Sequence, residues 1–240
     1  MSTKVNTILF DLDGTLLPMD MDLFMKIYFG EMAKDFEDII DKDTLIKCIW
    51  TATQAMVKNT ENRSNEAVFM DKFGSLIKGD LEVYKERFYN YYDNGFHKAK
   101  EAVKPNEWIN KSVDMLIKKG YKLVVATNPL FPEKAVHHRI RWANLEPDVF
   151  SYIASYENNN YCKPQLHYYK EILESIGKTP SDCIMVGNDV QEDLVVRELG
   201  MPTYLIEDYM IDRKDKPVES DYKGSYEDFY KFTCDLPKII

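Results

Sequence analysis

Several things are scarce in this 240-residue chain. It has four cysteines, Cys48, Cys162, Cys183 and Cys234, far apart and with no CxxC pair. That spacing excludes a disulfide framework or a zinc ribbon and reads as buried, reduced thiols. No apolar run approaches the roughly 20 residues of a membrane span. The N-terminus lacks a basic segment followed by a long apolar stretch, so no signal peptide is expected and the cytoplasm is the expected location. Positive charge is also short: 31 Lys and Arg against 40 Asp and Glu give a net charge of −9. This argues against nucleic acid or an anionic membrane as partner. A small anionic substrate remains compatible, because a local site can be positive on an acidic protein. The remaining composition, 45% hydrophobic and 30% charged, is that of an ordinary globular protein able to bury a core.

The stretch "NTILFDLDGTLLP", Asn6 to Pro18, joins an apolar run to two carboxylates, Asp11 and Asp13. Ile8, Leu9 and Phe10 read as a strand buried on both faces, the pattern of a central parallel strand. Acids at its carboxyl end lie where open α/β sheets bind ligands. A cation must offset such charge, or one carboxyl must have its pKa raised by the other. A bound metal would meet the first condition.

From Asp20 to Ala99 the residues are helix formers with few breakers. Phe24, Ile27, Tyr28 and Glu31 recur at helical spacing, as do Leu45, Ile49, Ala52 and Met56. Lys58 to Glu66 is a polar break; Gly79 ends a helix and Asp80 is the expected N-cap of the next. Three to five helices and no strand are expected. Beyond Val103 helices and strands alternate. Helices are expected over Pro105–Lys119, Pro132–Ala143, Gln165–Ile176 and Glu192–Leu199, and strands over Tyr121–Asn128, Val149–Ser155, Asp182–Asp189 and "PTYLIE". That alternation predicts an α/β fold, a Rossmann-like three-layer core with a parallel sheet, carrying an inserted all-helical domain. The expected boundaries are 1–17 with 104–240 for the core and 18–103 for the insertion. The tail after Asp212 shows no assignable pattern, and no internal repeat is evident.

Three predicted strands end in polar side chains: Asp11 and Asp13, then Thr127 and Asn128, then Asn188 and Asp189. Lys163 sits in a loop. In a parallel sheet these ends share one edge. The sequence resembles the haloacid dehalogenase-like hydrolase superfamily, made up mostly of magnesium-dependent phosphatases. "DLDGTL" resembles its first motif, "VVATN" its second, "CKPQ" its third and "MVGNDVQED" its fourth, in order, over Lys4–Leu16 and Lys104–Glu207.

The resemblance implies a Mg²⁺-dependent phosphatase of a small phosphorylated metabolite, with the helical insertion as a cap. Asp11 is then the nucleophile, forming an aspartyl-phosphate. Asp13 is the general acid and base, its proton favoured by the neighbouring carboxylate. Thr127, Asn128 and Lys163 are the implied phosphate-binding residues. The implied metal ligands are the Asp11 side chain, the Asp13 carbonyl and side chains from Asn188, Asp189 and Asp193. The family's fourth motif commonly reads Gly-Asp with a second acid four or five residues on; here Asn188 follows Gly187. Either Asn188 takes the ligand position with Asp193 five residues later, or Asp189 does with Asp193 four later. The distance to Gly200 favours the first.

Two rivals stay open: a β-phosphoglucomutase-type phosphomutase and a non-catalytic binding protein that kept the fold. Dehalogenase and phosphonatase chemistry is disfavoured, because those relatives lack an acid at the position of Asp13. His137 and His138, adjacent on a helix, do not share a face and read as surface or satisfied histidines. Trp50, Trp108 and Trp142 read as core, and Asp35, Asp41 and Asp43 as a solvated face. Lys58, Asn59 and Arg63 are candidates for reaching an anionic substrate. Oligomeric state is not legible in the sequence.

Overall fold

The computed structural model describes residues 5–213 and 217–239. Lys4, and the part of the tail at 214–216, lie outside the described residues. Strand β1 (Thr7–Phe10) is buried along its whole length. A helical insertion follows: α1 (Met21–Phe36), α2 (Lys42–Lys58), α3 (Asn65–Gly74), α4 (Leu81–Asp93) and a 3-10 segment, Gly95–Ala102. The chain then alternates through α5 (Glu107–Lys118), β2 (Lys122–Val125), α6 (Glu133–Trp142), β3 (Tyr152–Ile153), α7 (Leu166–Ser175), β4 (Cys183–Gly187) and β5 (Thr203–Ile206). The tail supplies β6 (Tyr222–Gly224) and α8 (Tyr226–Asp235).

The sheet order is β3-β2-β1-β4-β5-β6, and every pairing is parallel. β1 lies between β2 and β4, with Phe10 level with Val125 on one side and Val186 on the other. The sequence moves outward from β1 in both directions, which creates a topological switch point at its carboxyl end. Alternation sends Ile8 and Phe10 to one face, against Val113 of α5 and Phe229 of α8, and Leu9 to the other, against Tyr168 and Ile172 of α7. Three layers result, as expected for parallel strands buried on both faces.

The helices of the insertion begin on short acceptors. The side chains of Asp20, Asp41, Ser64 and Asp80 accept from backbone N–H groups in the first turns of α1 to α4. The entering and leaving segments pair: Asp20 N–H donates to the Ala102 carbonyl at 2.9 Å and Lys104 N–H to the Pro18 carbonyl at 2.8 Å. Phe96 holds the insertion together. It is fully buried, and its ring lies 6.1 Å from Tyr28 of α1, 5.3 Å from Tyr92 of α4 and 5.0 Å from Trp142 of α6.

Several sequence expectations change. α3 stops at Gly74, so Gly79 (φ +102°) lies in the turn before α4 rather than at a helix end. Leu194–Leu199 is a short 3-10 turn, not an α-helix from Glu192, because residues 189–193 are spent on a side-chain-stabilised turn described below. Cys234 is exposed, whereas Cys48, Cys162 and Cys183 are buried. Trp142 is core and Trp108 half-buried, but Trp50 is exposed.

Phe96→Ala should cost about 3–5 kcal/mol, because three packed elements cannot all close on the void. Urea unfolding reads this as a lowered midpoint with an unchanged slope. A loss near zero would mean that the insertion does not depend on this ring.

Candidate active site

The sheet register brings the strand ends together. Asp11 N–H donates to the Val186 carbonyl at 2.9 Å, and Ala126 N–H to the Phe10 carbonyl at 2.7 Å. Asp11, Thr127 and Asn188 therefore emerge side by side at one edge. Gly14 (φ +83°) turns the chain immediately after Asp13. A Cβ there would sit 2.4 Å from the Asn188 side-chain nitrogen, so glycine is required both by the turn and by the close approach of the fourth motif.

Lys163 occupies the centre. Its ammonium is wholly buried and lies 2.8 Å from Asp11 Oδ1 and 2.6 Å from Asp193 Oδ1. Burial by itself would lower the pKa of this ammonium, but Asp11 and Asp193 outweigh it and hold it well above its ordinary value. Asp193 is also fully buried, and its carboxyl is pushed up to about 7 by that burial, against the lowering pull of Lys163. Its second oxygen accepts from Asp189 N–H at 2.9 Å. Gly187 makes room: a Cβ there would meet Asp193 Oδ2 at 2.1 Å. Asn128 locks the cluster, accepting from Lys163 N–H at 3.2 Å and donating to Glu192 Oε2 at 3.1 Å.

Asp13 faces a second cation, Arg139 of α6, through an ion pair of 2.5 Å to Oδ2. Burial raises the Asp13 carboxyl above the ordinary carboxylate range; Arg139 opposes the rise and Asp11 adds to it. The proton that the sequence reading ascribed to the neighbouring carboxylate is thus owed first to desolvation. The Arg139 guanidinium lies 4.3 Å from the centre of the Phe131 ring, a cation–π contact.

In the fourth motif, Asn188 Oδ1 accepts from the Thr15 hydroxyl at 2.9 Å and its amide donates to the Tyr209 carbonyl at 2.7 Å. Asp189 Oδ1 accepts from the N–H groups of Gln191 and Glu192, each at 3.0 Å, and its Oδ2 pairs with Arg213 at 2.6 Å. Asp11, Asp13, Thr127, Asn128, Asn188 and Asp189 all line one cavity of about 420 Å³, roofed by the helical insertion. Lys163 and Asp193 do not line it; they lie behind Asp11.

Among the described residues no three His, Cys, Asp or Glu side chains form a ready metal cage. The floor nevertheless offers hard oxygen donors, and among the described residues the buried Asp13 Oδ1 has no hydrogen-bond partner. That donor set fits Mg²⁺ in kind. This ion takes one or two carboxylates and completes its shell with water and substrate phosphate.

Other sequence candidates fall elsewhere. The Asn59 amide donates to the carbonyls of Glu61 and Asn160, and Arg63 pairs with Asp71; neither they nor Lys58 line the cavity. Asp41 caps α2. His137 Nε2 sits 3.5 Å from Glu133, while His138 packs on the His97 ring at 4.3 Å. His138 is not satisfied as expected, since among the described residues its buried Nε2 has no partner. Arg139, Glu192, Arg213 and Thr15 are site residues that the sequence reading passed over. Arg139 carried a signal: it lies four residues from Ala135 and three from Val136, a charge on a buried helical stripe.

A parallel sheet with paired acids at its carboxyl edge, a buried lysine behind them and helices above defines the class: an α/β protein with its polar groups gathered at one strand-end edge. A family model described as "Haloacid dehalogenase-like hydrolase" matches residues 8–205. Pyrophosphatase PpaX of Bacillus cereus (strain AH820) is 22% identical over 192 residues, 80% of this chain and 78% of its own. Two solved structures share the fold. One is a predicted phosphoglycolate phosphatase from Haemophilus somnus 129pt (TM-score 0.58, 18% identity, 97% of this chain and 100% of that one). The other is the putative HAD-hydrolase YfnB from Bacillus subtilis, bound to magnesium (TM-score 0.59, 16% identity, 96% and 99%). The chain belongs to the haloacid dehalogenase-like hydrolases.

Lys163→Met should destabilise the protein by roughly 3–5 kcal/mol at pH 8, because it leaves buried carboxylates without their cation. The raised Asp193 pKa fixes the sign. A carboxyl that holds its proton more tightly when folded contributes stability below its unfolded pKa and loses it as pH rises through the folded value. The variant should therefore lie closest to wild type near pH 4–5 and furthest at pH 8. Unfolding curves at the two pH values check this; an equal deficit at both would contradict it.

Proposed function

We propose that this protein is a Mg²⁺-dependent phosphomonoesterase of a small phosphorylated metabolite, working through an aspartyl-phosphate on Asp11. The carrying observation is the division of labour on the cavity floor. Asp11 faces the cavity with Lys163 behind it, while burial favours the proton on Asp13, two residues away. Residues 1–17 and 104–240 act as the catalytic core and residues 18–103 as its cap, hinged at the paired segments around Pro18 and Lys104.

In the first half-reaction an Asp11 oxygen attacks phosphorus and the bond from phosphorus to the ester oxygen breaks. The electron pair stays on the leaving oxygen, which takes the Asp13 proton. In the second, water attacks phosphorus, gives a proton to Asp13 and releases phosphate, restoring the Asp11 carboxylate. The Thr127 hydroxyl stabilises a phosphoryl oxygen, while the Lys163 ammonium, behind Asp11 and bonded to Asp11 and Asp193, holds and orients the attacking carboxylate. Arg139 positions Asp13 by holding one of its oxygens. The Asp11 carboxylate, the Asp13 carbonyl and an oxygen of Asn188 or Asp189 would hold Mg²⁺, which would supply charge neutralisation at the phosphoryl group. The cap excludes water and selects the leaving group.

The test is phosphate release from p-nitrophenyl phosphate with Mg²⁺ and with chelator. Turnover should require the metal and fall to background in Asp11→Asn. Asp13→Asn should lose about 10²–10⁴-fold on an alkyl phosphate, and less on p-nitrophenyl phosphate, whose leaving group needs little protonation. Metal-dependent turnover that survives Asp11→Asn would contradict the assignment.

A further inference from the structure

The cavity is divided by chemistry. Its floor is charged and polar, but the wall contributed by the insertion is made of rings and thioethers. Phe29 and Trp50 lie 6.0 Å apart at 45°, Tyr28 packs at 5.5 Å and 71° on Phe131, a ring supplied by the core, and Met25 and Met70 line the same wall. Trp50, 47% exposed, is not core packing but part of this wall. The Tyr28 and Tyr92 hydroxyls are spent on each other in a hydrogen bond of 2.9 Å, while Tyr156 and Thr53 also line the cavity. What these two tyrosines offer a ligand is therefore ring face and edge.

Charge points the same way. Among the described residues lining the cavity there is no lysine or histidine, and the single cation is Arg213. Arg213 is already held 2.6 Å from Asp189 Oδ2 and 4.0 Å from Glu192. A leaving group bearing its own phosphate or carboxylate would meet Asp11, Asp13, Asp189 and Glu192 with no cation left to it. A polyhydroxylated sugar would strip its hydroxyls of water against a wall with few partners. A volume of about 420 Å³ falls in the range of small-molecule sites, leaving room for more than a phosphoryl group.

We propose that the substrate is a phosphomonoester of an uncharged aromatic alcohol, its phosphoryl group on the Asp11 floor and its ring among Phe29, Trp50 and Phe131. This rests on the phosphomonoesterase reading above and narrows it. It also separates this chain's specificity from the pyrophosphate and phosphoglycolate that its relatives' names carry. The bond broken is the one already described, from phosphorus to the ester oxygen, with Asp13 supplying the proton to the departing alkoxide.

The experiment compares kcat/KM, with Mg²⁺, for 2-naphthylmethyl phosphate, benzyl phosphate, methyl phosphate, glycerol 3-phosphate, phosphoglycolate and pyrophosphate. The first five are esters of alkyl alcohols and pyrophosphate has the better leaving group, so leaving-group acidity does not produce the expected order. Naphthylmethyl phosphate should exceed glycerol 3-phosphate, phosphoglycolate and pyrophosphate by roughly tenfold or more, a difference of about 1.4 kcal/mol. In Trp50→Ala the loss on naphthylmethyl phosphate should exceed the loss on methyl phosphate by a similar factor. Phosphoglycolate, pyrophosphate or glycerol 3-phosphate matching the aromatic ester would overturn the inference and leave the phosphatase reading standing. So would a Trp50→Ala variant that loses equally on every ester. No hydrolysis of any ester would overturn both readings.

Discussion

The ion triad of Lys163 with Asp11 and Asp193 is the constraint on which the site rests. Three charges are buried where desolvation alone would penalise each of them, and only their mutual geometry repays that cost. Everything near the triad is shaped to permit it. Gly187 has no side chain because Asp193 occupies that space. The turn at residues 189–193 replaces the start of a helix, so that Asp193 folds back beneath the sheet edge. Asn128 joins the second strand end to the Lys163 backbone, fixing the distance between the second and third motifs. Asp11 is left with one oxygen committed to the lysine. The orientation of Asp11 and the local stability are consequences of the same contact.

The cavity above follows from a second division. The sheet supplies charge, because strand ends expose backbone and short polar side chains. The insertion supplies apolar surface, because its amphipathic helices have more ring-bearing residues than their own packing consumes. Phe96 and Phe36 are buried among the helices, while Phe29 and Trp50 are left at the edge facing the floor. Arg139 reaches the insertion only through a ring: it leaves α6, grips Asp13 and contacts Phe131, which packs 5.5 Å from Tyr28 of α1.

Much of this was legible in the sequence, for identifiable reasons. Short apolar runs ending in polar residues marked β1, β2 and β4, since strands buried on both faces show no alternation to confuse. Helix starts were visible as Asp or Ser before apolar periodicity. The misreadings have physical causes too. Trp50 reads as core from its residue type alone, yet it falls one residue off the α2 stripe of Leu45, Ile49, Ala52 and Met56. The tail looked patternless because β6 is three residues long, yet α8 begins with a capping box, Ser225 and Asp228, that was there to be read. Arg139 was hidden because a buried ion pair depends on a partner 126 residues away. Asn188 and Asp189 stood undivided in the sequence, and both line the cavity floor, one bound to Thr15 and the other to Arg213.

The central claim is that Asp11 becomes covalently phosphorylated. The direct measurement is a rapid acid quench with enzyme in excess over benzyl phosphate, followed by mass spectrometry of the peptide spanning Asn6 to Pro18. The account predicts a transient peptide carrying one phosphoryl group on Asp11, formed before free phosphate and decaying into it. Phosphate that appears with Asp11 unmodified throughout, or with the phosphoryl group on another residue, would contradict it.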